Sequence, residues 1–269
     1  MTKQTAEQTI PPAPDQPSAA SAGTSAAASV ALFGELASDW WDPDGRSKLL
    51  HRINPVRLRY IREVLERHFG LNPRDRQALA GLAALDIGCG GGLVTEPLAR
   101  MGASVEGLDA GEKVIEVARA HAMAQGLSIR YTAGDVVPFA AEREAHYDFI
   151  TCLEVIEHVA DIPAFLQSIR RMLKPGGLLI FSTPNRSARS WLALIVGAEW
   201  LLKLIPDGGH DWNQLLTPAE LDHFLTAAGL QTDNWRGLDW SPGRGFFLSD
   251  NKAVNYLGTA IPVAVPCPA

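Results

Sequence analysis

Cysteine is scarce in this chain. Its 269 residues include three, Cys89, Cys152 and Cys267. So sparse and odd a set argues against a disulfide framework and points to a reducing compartment. No run of about eighteen apolar residues occurs, so no helix is expected to cross a bilayer. Arginine is missing before Arg46, and the N-terminal stretch lacks both a charged start and an apolar core. Neither a transit peptide nor a secretory signal is therefore expected, which suits a cytoplasmic protein. Positive charge is not in excess. The net charge of −6 argues against a nucleic-acid partner, which usually meets a basic patch. Large apolar side chains are nearly absent from residues 1–29, where Ala, Ser, Thr, Pro and Gln prevail. Such a segment cannot bury enough surface to offset its ordering entropy, so a disordered tail is expected there.

What is present is a soluble globular composition, 46% hydrophobic and 20% charged. It predicts one large domain over 30–260, followed by a short tail at 261–269. The stretch Ala84-Leu85-Asp86-Ile87-Gly88-Cys89-Gly90-Gly91-Gly92-Leu93 organises the domain. An apolar run ends at Ile87, glycines follow, and a helical pattern opens at Leu93. This is the strand–turn–helix unit that begins a nucleotide-binding α/β sheet. Glycines accept the positive φ angles of such a turn, and without a Cβ they let a ligand lie against the backbone.

From there the pattern alternates. Strands are expected near 83–88, 103–108, 128–132, 147–152 and 178–183, and helices near 93–101, 112–124 and 161–173. The fold class is α/β: a Rossmann-like, mostly parallel sheet with helices on both faces and an antiparallel C-terminal hairpin. Ahead of it lies a helical cap over 30–70. Phe33, Leu36, Trp40 and Trp41 fall at helical spacing there, Asp42-Pro43-Asp44-Gly45 forms a turn, and a helix runs from Pro55 to about His68 with Gly70 behind it. An insert at 186–215 breaks the rhythm. Then Thr217-Pro218-Ala219-Glu220 reads as a capping box with a first-turn proline. Around Ser241-Pro242-Gly243 the chain should turn back as a hairpin.

Two ligands compete for the glycine turn. The dinucleotide fingerprint G-x-G-x-x-G would place its third glycine where Leu93 stands, so it fails. The glycines instead read Gly88-x-Gly90-x-Gly92, with Asp86 two residues before the first. This resembles motif I of the Rossmann-like S-adenosylmethionine-dependent methyltransferases. S-adenosylmethionine has a zwitterionic methionine tail in place of a pyrophosphate, and Asp86 can serve the tail's ammonium directly or through water. Asp109 ends the second strand, where a carboxylate can accept from both ribose hydroxyls. Asp135, after the third strand, fits the position that binds the adenine amine in such enzymes, and Leu153 is expected to pack against adenine.

The acceptor side is read from Cys152-Leu153-Glu154-Val155-Ile156-Glu157-His158-Val159. On a helical turn Glu154, Glu157 and His158 would share one face. Two readings stay open. The three can ligate a divalent cation, or His158 can take a proton from an acceptor hydroxyl. The plain structural alternative is that the glutamates cap a helix and His158 packs.

Trp40-Trp41-Asp42, Leu50-His51-Arg52-Ile53-Asn54-Pro55-Val56-Arg57, the Cys-Leu-Glu-x-x-Glu-His-Val run, Ser182-Thr183-x-Asn185-Arg186 and Val196-Gly197-Ala198-Glu199 together resemble the ubiquinone-biosynthesis O-methyltransferase family. The likeness covers roughly residues 32 to 260. It implies methylation of a catechol hydroxyl on 2-polyprenyl-6-hydroxyphenol and 3-demethylubiquinol. The family's cofactor residues match Arg57, Gly88, Asp109 and Leu153, with Arg57 on the carboxylate of the methionine tail. Its proposed magnesium positions match Glu154, Glu157 and His158, and the two candidates for catalysis are His158 and Glu157. A membrane-resident polyprenyl substrate gives the stretch 191–205 a reason. Trp191, Leu192, Leu194, Ile195, Trp200, Leu201, Leu204 and Ile205, with Arg186, Arg189 and Lys203 around them, suit a peripheral contact with a lipid surface and equally an apolar lid. Other enzymes of the same pathway are implied partners, and His210 and Asp211 are candidates for the acceptor pocket. Two features depart from the family pattern, Pro184 between Thr183 and Asn185, and the long N-terminus.

Overall fold

In the computed structural model, residues 39–187 and 214–263 are described, together with Gly34 and Ser190. The expectations for the 1–29 tail, for Phe33 and Leu36, for the 191–205 stretch, for His210 and Asp211, and for residues beyond 263 lie outside them.

The centre of the sheet is β1 (Ala83–Ile87), buried almost throughout. Alternate residues face opposite sides of a strand, and the two sides have separate cores. Leu85, Ile87, Ile150, Cys152, Leu179 and Phe181 point to one, while Ala84, Phe149, Leu178 and Ile180 point to the other. Apolar side chains on both faces are why these strands read as unbroken hydrophobic runs. The first core is closed by Leu166 and Ile169 of α5 (Ile162–Met172) and Leu221 and Leu225 of α6 (Pro218–Ala227). The second is closed by Tyr60, Ile61, Val64 and Leu65 of α1 (Lys48–Phe69) and Leu98 of α2 (Thr95–Arg100). The expected layering, helices on both faces, is thus observed.

The remaining elements are β2 (Ser104–Asp109), α3 (Glu112–Ala124), β3 (Arg130–Ala133), a one-turn α4 (Val136–Ala140), β4 (Tyr147–Leu153), β5 (Leu173–Pro184), β6 (Leu230–Ser241), β7 (Gly245–Ser249) and β8 (Asn255–Pro262). Their order in the sheet is β3-β2-β1-β4-β5-β8-β6-β7. The first five pair in parallel. The last three are antiparallel, with β8 between β5 and β6. The hairpin was expected; β8 was not. It fills the gap that β6 and β7 would leave beside β5, bonding Leu179–Pro184 on one edge and Leu230–Leu238 on the other.

Local signals fared well where they were complete. Thr217 and Glu220 form the capping box, Gly70 ends α1 in the left-handed region, and Gly45 N–H donates to Asp42 O in the expected turn. The proline signal misled. Helix α1 begins at Lys48, and Pro55 lies inside it. An interior proline forfeits a backbone hydrogen bond. Contacts of the turn before it offset that cost: Asn54 Nδ2 donates to Leu93 O at 2.7 Å and His51 Nε2 to Trp40 O at 2.9 Å. Trp40 and Trp41 themselves sit in turns rather than in a helix. None of the described helices is long and apolar enough to cross a membrane.

Candidate functional site

Neighbouring strands β1 and β4 send their connections to opposite sides, towards β2 and towards β5. A crevice opens outside their carboxyl ends at such a switch point. The glycine turn follows β1 there, Asp109 ends β2, Asp135 follows β3 and Glu154 follows β4.

The turn is tied to the next strand by Gly88 N–H and Cys89 N–H, both donating to Leu108 O. At Gly90, φ is +52°, and a Cβ there would meet the Trp40 ring at 2.3 Å; one at Gly91 would meet it at 2.2 Å. The bare backbone thus receives one of the chain's own side chains, where a ligand alone had been expected. Trp40 is buried against it. Trp41 Nε1 donates to Gly91 O at 3.0 Å, and its ring stacks on His121 with centroids 3.6 Å apart. His121 Nδ1 lies 2.6 Å from Oε1 of the buried Glu96. The segment before α1 is fastened over the turn by these contacts.

Asp109 accepts from Gly90 N–H at 3.0 Å and from Gly111 N–H at 2.8 Å, one through each carboxylate oxygen. Burial raises its pKa, and these two donors oppose the rise. Asp86 lies beneath the turn. Its oxygens accept from Thr95 Oγ1 at 2.6 Å and Thr151 Oγ1 at 2.7 Å, which links β1 to β4 and α2. Burial pushes it up to about 6 against the pull of the hydroxyls. Asp135 precedes α4 with its side chain exposed and capping nothing. Leu153, half-buried at the end of β4, packs against the core below α1. Arg57 is 6% exposed. Its Nη2 lies 2.8 Å from Glu154 Oε1, and its buried Nε has no acceptor among the described residues.

The acceptor side departs from expectation. Glu154 has φ +58° and is not helical; only Ile156–His158 form a short 3-10 turn. Glu154, Glu157 and His158 therefore do not lie on one helical face. The Glu154 carboxylate takes Arg57 Nη2, Ser182 Oγ at 2.6 Å and Asn255 Nδ2 at 3.0 and 3.1 Å. Buried Glu157 accepts from Thr183 Oγ1 at 3.0 Å. Its pKa rises to about 8, first through burial and then through the Glu154 charge. His158 is half-buried at the end of the 3-10 turn. Among the described residues no group of three or more His, Cys, Asp or Glu side chains is placed to hold a metal ion. The implied magnesium set of Glu154, Glu157 and His158 does not fit, because Glu154 is committed to donors of the chain itself.

Trp40, Thr95, Thr151 and Asn255 also belong to this site, and no motif in the sequence assigns them to it. Asn255 comes from the unforeseen β8, and no short-range pattern links it to Glu154.

The arrangement agrees with the comparisons. Residues 49–234 match the family model described as a methyltransferase domain. The chain is 44% identical over 229 residues to a ubiquinone biosynthesis O-methyltransferase of Methylobacterium nodulans, covering 85% of this chain and 92% of that one. It is 46% identical over 216 residues to the protein of that name from Chelativorans sp., covering 80% and 85%. A solved SAM-dependent methyltransferase from Aquifex aeolicus superposes with a TM-score of 0.54 at 17% identity, over 83% of this chain and all of the other. That last likeness establishes the fold.

Proposed function

We infer the reaction from one premise: this chain belongs to the family of ubiquinone biosynthesis O-methyltransferases. It is a methyltransferase, and we propose S-adenosylmethionine as its methyl donor and a polyprenylated catechol as its acceptor, 2-polyprenyl-6-hydroxyphenol and 3-demethylubiquinol being the two substrates. The observation that carries the reading is the placement, at the carboxyl ends of the two strands that flank β1, of Asp109 bridged to Gly90 N–H and of Arg57, held by Glu154, whose buried Nε lacks an acceptor. One suits ribose hydroxyls and the other a carboxylate, and S-adenosylmethionine bears both.

In this reading Arg57 Nε donates to the carboxylate of the methionine tail. Each Asp109 oxygen already takes one backbone donor and has a lone pair left for a ribose hydroxyl. Gly88 and Gly90 border the tail. Asp86 acts from below, holding the turn through Thr95 and Thr151. Asp135 faces the adenine amine, and Leu153 packs on the ring.

Transfer is an in-line displacement. The S–CH3 bond breaks with its electron pair left on sulfur, the O–CH3 bond forms, and the catechol proton leaves for a base. A phenol is a poor nucleophile near neutral pH and its phenolate a good one. His158 is the proposed proton acceptor. Glu157, with its raised pKa, keeps its own proton at neutral pH and spares the site a second buried negative charge beside Glu154. No step runs through a metal. Positioning supplies the rest of the rate.

The acceptor's polyprenyl tail resides in a bilayer, so the Trp- and Leu-rich stretch 191–205 with its cationic neighbours is proposed to meet the cytoplasmic lipid surface. Contact with other enzymes of the pathway belongs to the same proposal. The test incubates the protein with S-adenosylmethionine and a prenylated catechol in lipid vesicles, with and without chelator. Methylated product is expected in both. None in either overturns the function.

A further inference from the structure

We infer that Glu154 is a positioning residue: together with Ser182 and Asn255 it holds the Arg57 guanidinium so that Nε faces the carboxylate of the bound cofactor. This rests on the reading of Arg57 given above, and it replaces the metal-ligand role that family resemblance implies for Glu154.

Four observations carry it. First, Arg57 is nearly inaccessible, so its charge needs a partner inside the protein. Glu154 supplies it at 2.8 Å. Second, Glu154 is itself fixed from two further strands, by Ser182 of β5 through both its side chain and its backbone and by Asn255 of β8. An anchor held by two strands besides its own is restrained, and so is the guanidinium it holds. Third, Glu154 occupies the left-handed region, which is costly for a residue with a Cβ. From that position just after β4 the carboxylate meets Arg57 of α1. Fourth, the one Arg57 nitrogen left buried without an acceptor is Nε. An unmet buried donor is costly, and a ligand carboxylate would meet it. The guanidinium is a planar fork, so fixing Nη2 on Glu154 also fixes the direction in which Nε donates.

The experiment measures binding of two product-like ligands by calorimetry. One is S-adenosylhomocysteine. The other is its decarboxylated analogue, which retains the ammonium and nucleoside but lacks the carboxylate. Wild-type protein is expected to prefer the first. In Glu154→Gln that preference should shrink about tenfold, the factor expected for one misdirected charge-assisted hydrogen bond, while affinity for the decarboxylated ligand stays unchanged. Retained preference in Glu154→Gln overturns the inference. So does an equal loss for both ligands, which would mark Glu154 as structural only. Arg57→Ala separates the two levels. If it keeps the preference, the Arg57 reading itself fails; if it loses the preference and Glu154→Gln does not, only the positioning role fails. Magnesium chloride alone, titrated into wild type and Glu154→Gln, tests the older role, and binding that disappears in the variant overturns the inference. Should Glu154→Gln not fold, Asn255→Ala removes one support of the anchor. A reduced preference there upholds the role and an unchanged one overturns it.

Discussion

The indole of Trp40 occupies the space that a side chain at Gly90 would need, since a Cβ built there would stand 2.3 Å from its ring. Gly90 also has φ +52°. The glycine is thus demanded twice, by its own backbone and by a tryptophan fifty residues earlier. Trp40 in turn keeps its neighbour Trp41 on Gly91 O, so the cap and the turn form one unit.

Gly90→Ala should therefore destabilise the protein by about 2–4 kcal/mol, combining left-handed strain with overpacking. Urea unfolding measures it. Combining Gly90→Ala with Trp40→Ala should cost less than the sum of the two single changes, because the clash is then absent. Additive costs would show that the tryptophan is not the obstacle.

Asp109→Asn keeps the shape of the side chain and removes its charge. The amide nitrogen is a donor and accepts nothing, so only one of the Gly90 and Gly111 N–H groups keeps its acceptor, and one ribose hydroxyl loses its own. Affinity for S-adenosylhomocysteine should fall about 10- to 100-fold, read by calorimetry, with a far smaller change in thermal midpoint.

Asp86→Ala leaves the hydroxyls of Thr95 and Thr151 without their buried acceptor. A loss of about 2–4 kcal/mol in unfolding free energy is expected from the orphaned Thr95 hydroxyl, a Thr151 hydroxyl left with only the long contact to Leu85 O at 3.5 Å, and a cavity. Adding Thr95→Val and Thr151→Val to Asp86→Ala should recover part of it, since donors and acceptor are then removed together. Denaturant midpoints of the variants decide.

Glu157 has a folded-state pKa of about 8 against 4.5 for the free side chain. Below pH 4.5 both states are protonated and the residue opposes folding least. Between there and about pH 8 the unfolded chain releases a proton that the folded chain keeps, so stability falls as pH rises through that window. Glu157→Gln cannot ionise. Its thermal midpoint should exceed that of wild type by a margin that widens from pH 5 to pH 8 and then levels. A constant margin would show that Glu157 is not the titrating group.

The parts legible in the sequence are those written in short stretches. The strand rising to Ile87, the glycine turn, Asp109 at the end of β2, the Thr217–Glu220 box and the left-handed Gly70 each depend on neighbours a few residues away. Pro55 shows the limit of such signals. A proline commonly opens a helix, yet α1 starts at Lys48 because Asn54 and His51, just before the proline, are held by Leu93 and Trp40. Glu154 shows it again. Spacing alone sets it on one helical face with Glu157 and His158, whereas in the fold no helix forms there and Glu154 pairs with Ser182, Asn255 and Arg57.

The sequence by itself determined the fold class, the cofactor-sized turn and the carboxylates around it, because hydrophobic period and glycine placement act locally. Only the tertiary structure decided what the glycines accommodate and what Glu154 is for. Those outcomes depend on which distant side chains share a small, dry volume. There a buried charge must find its partner and a tryptophan must find room, and neither demand leaves a mark on nearby residues in the chain.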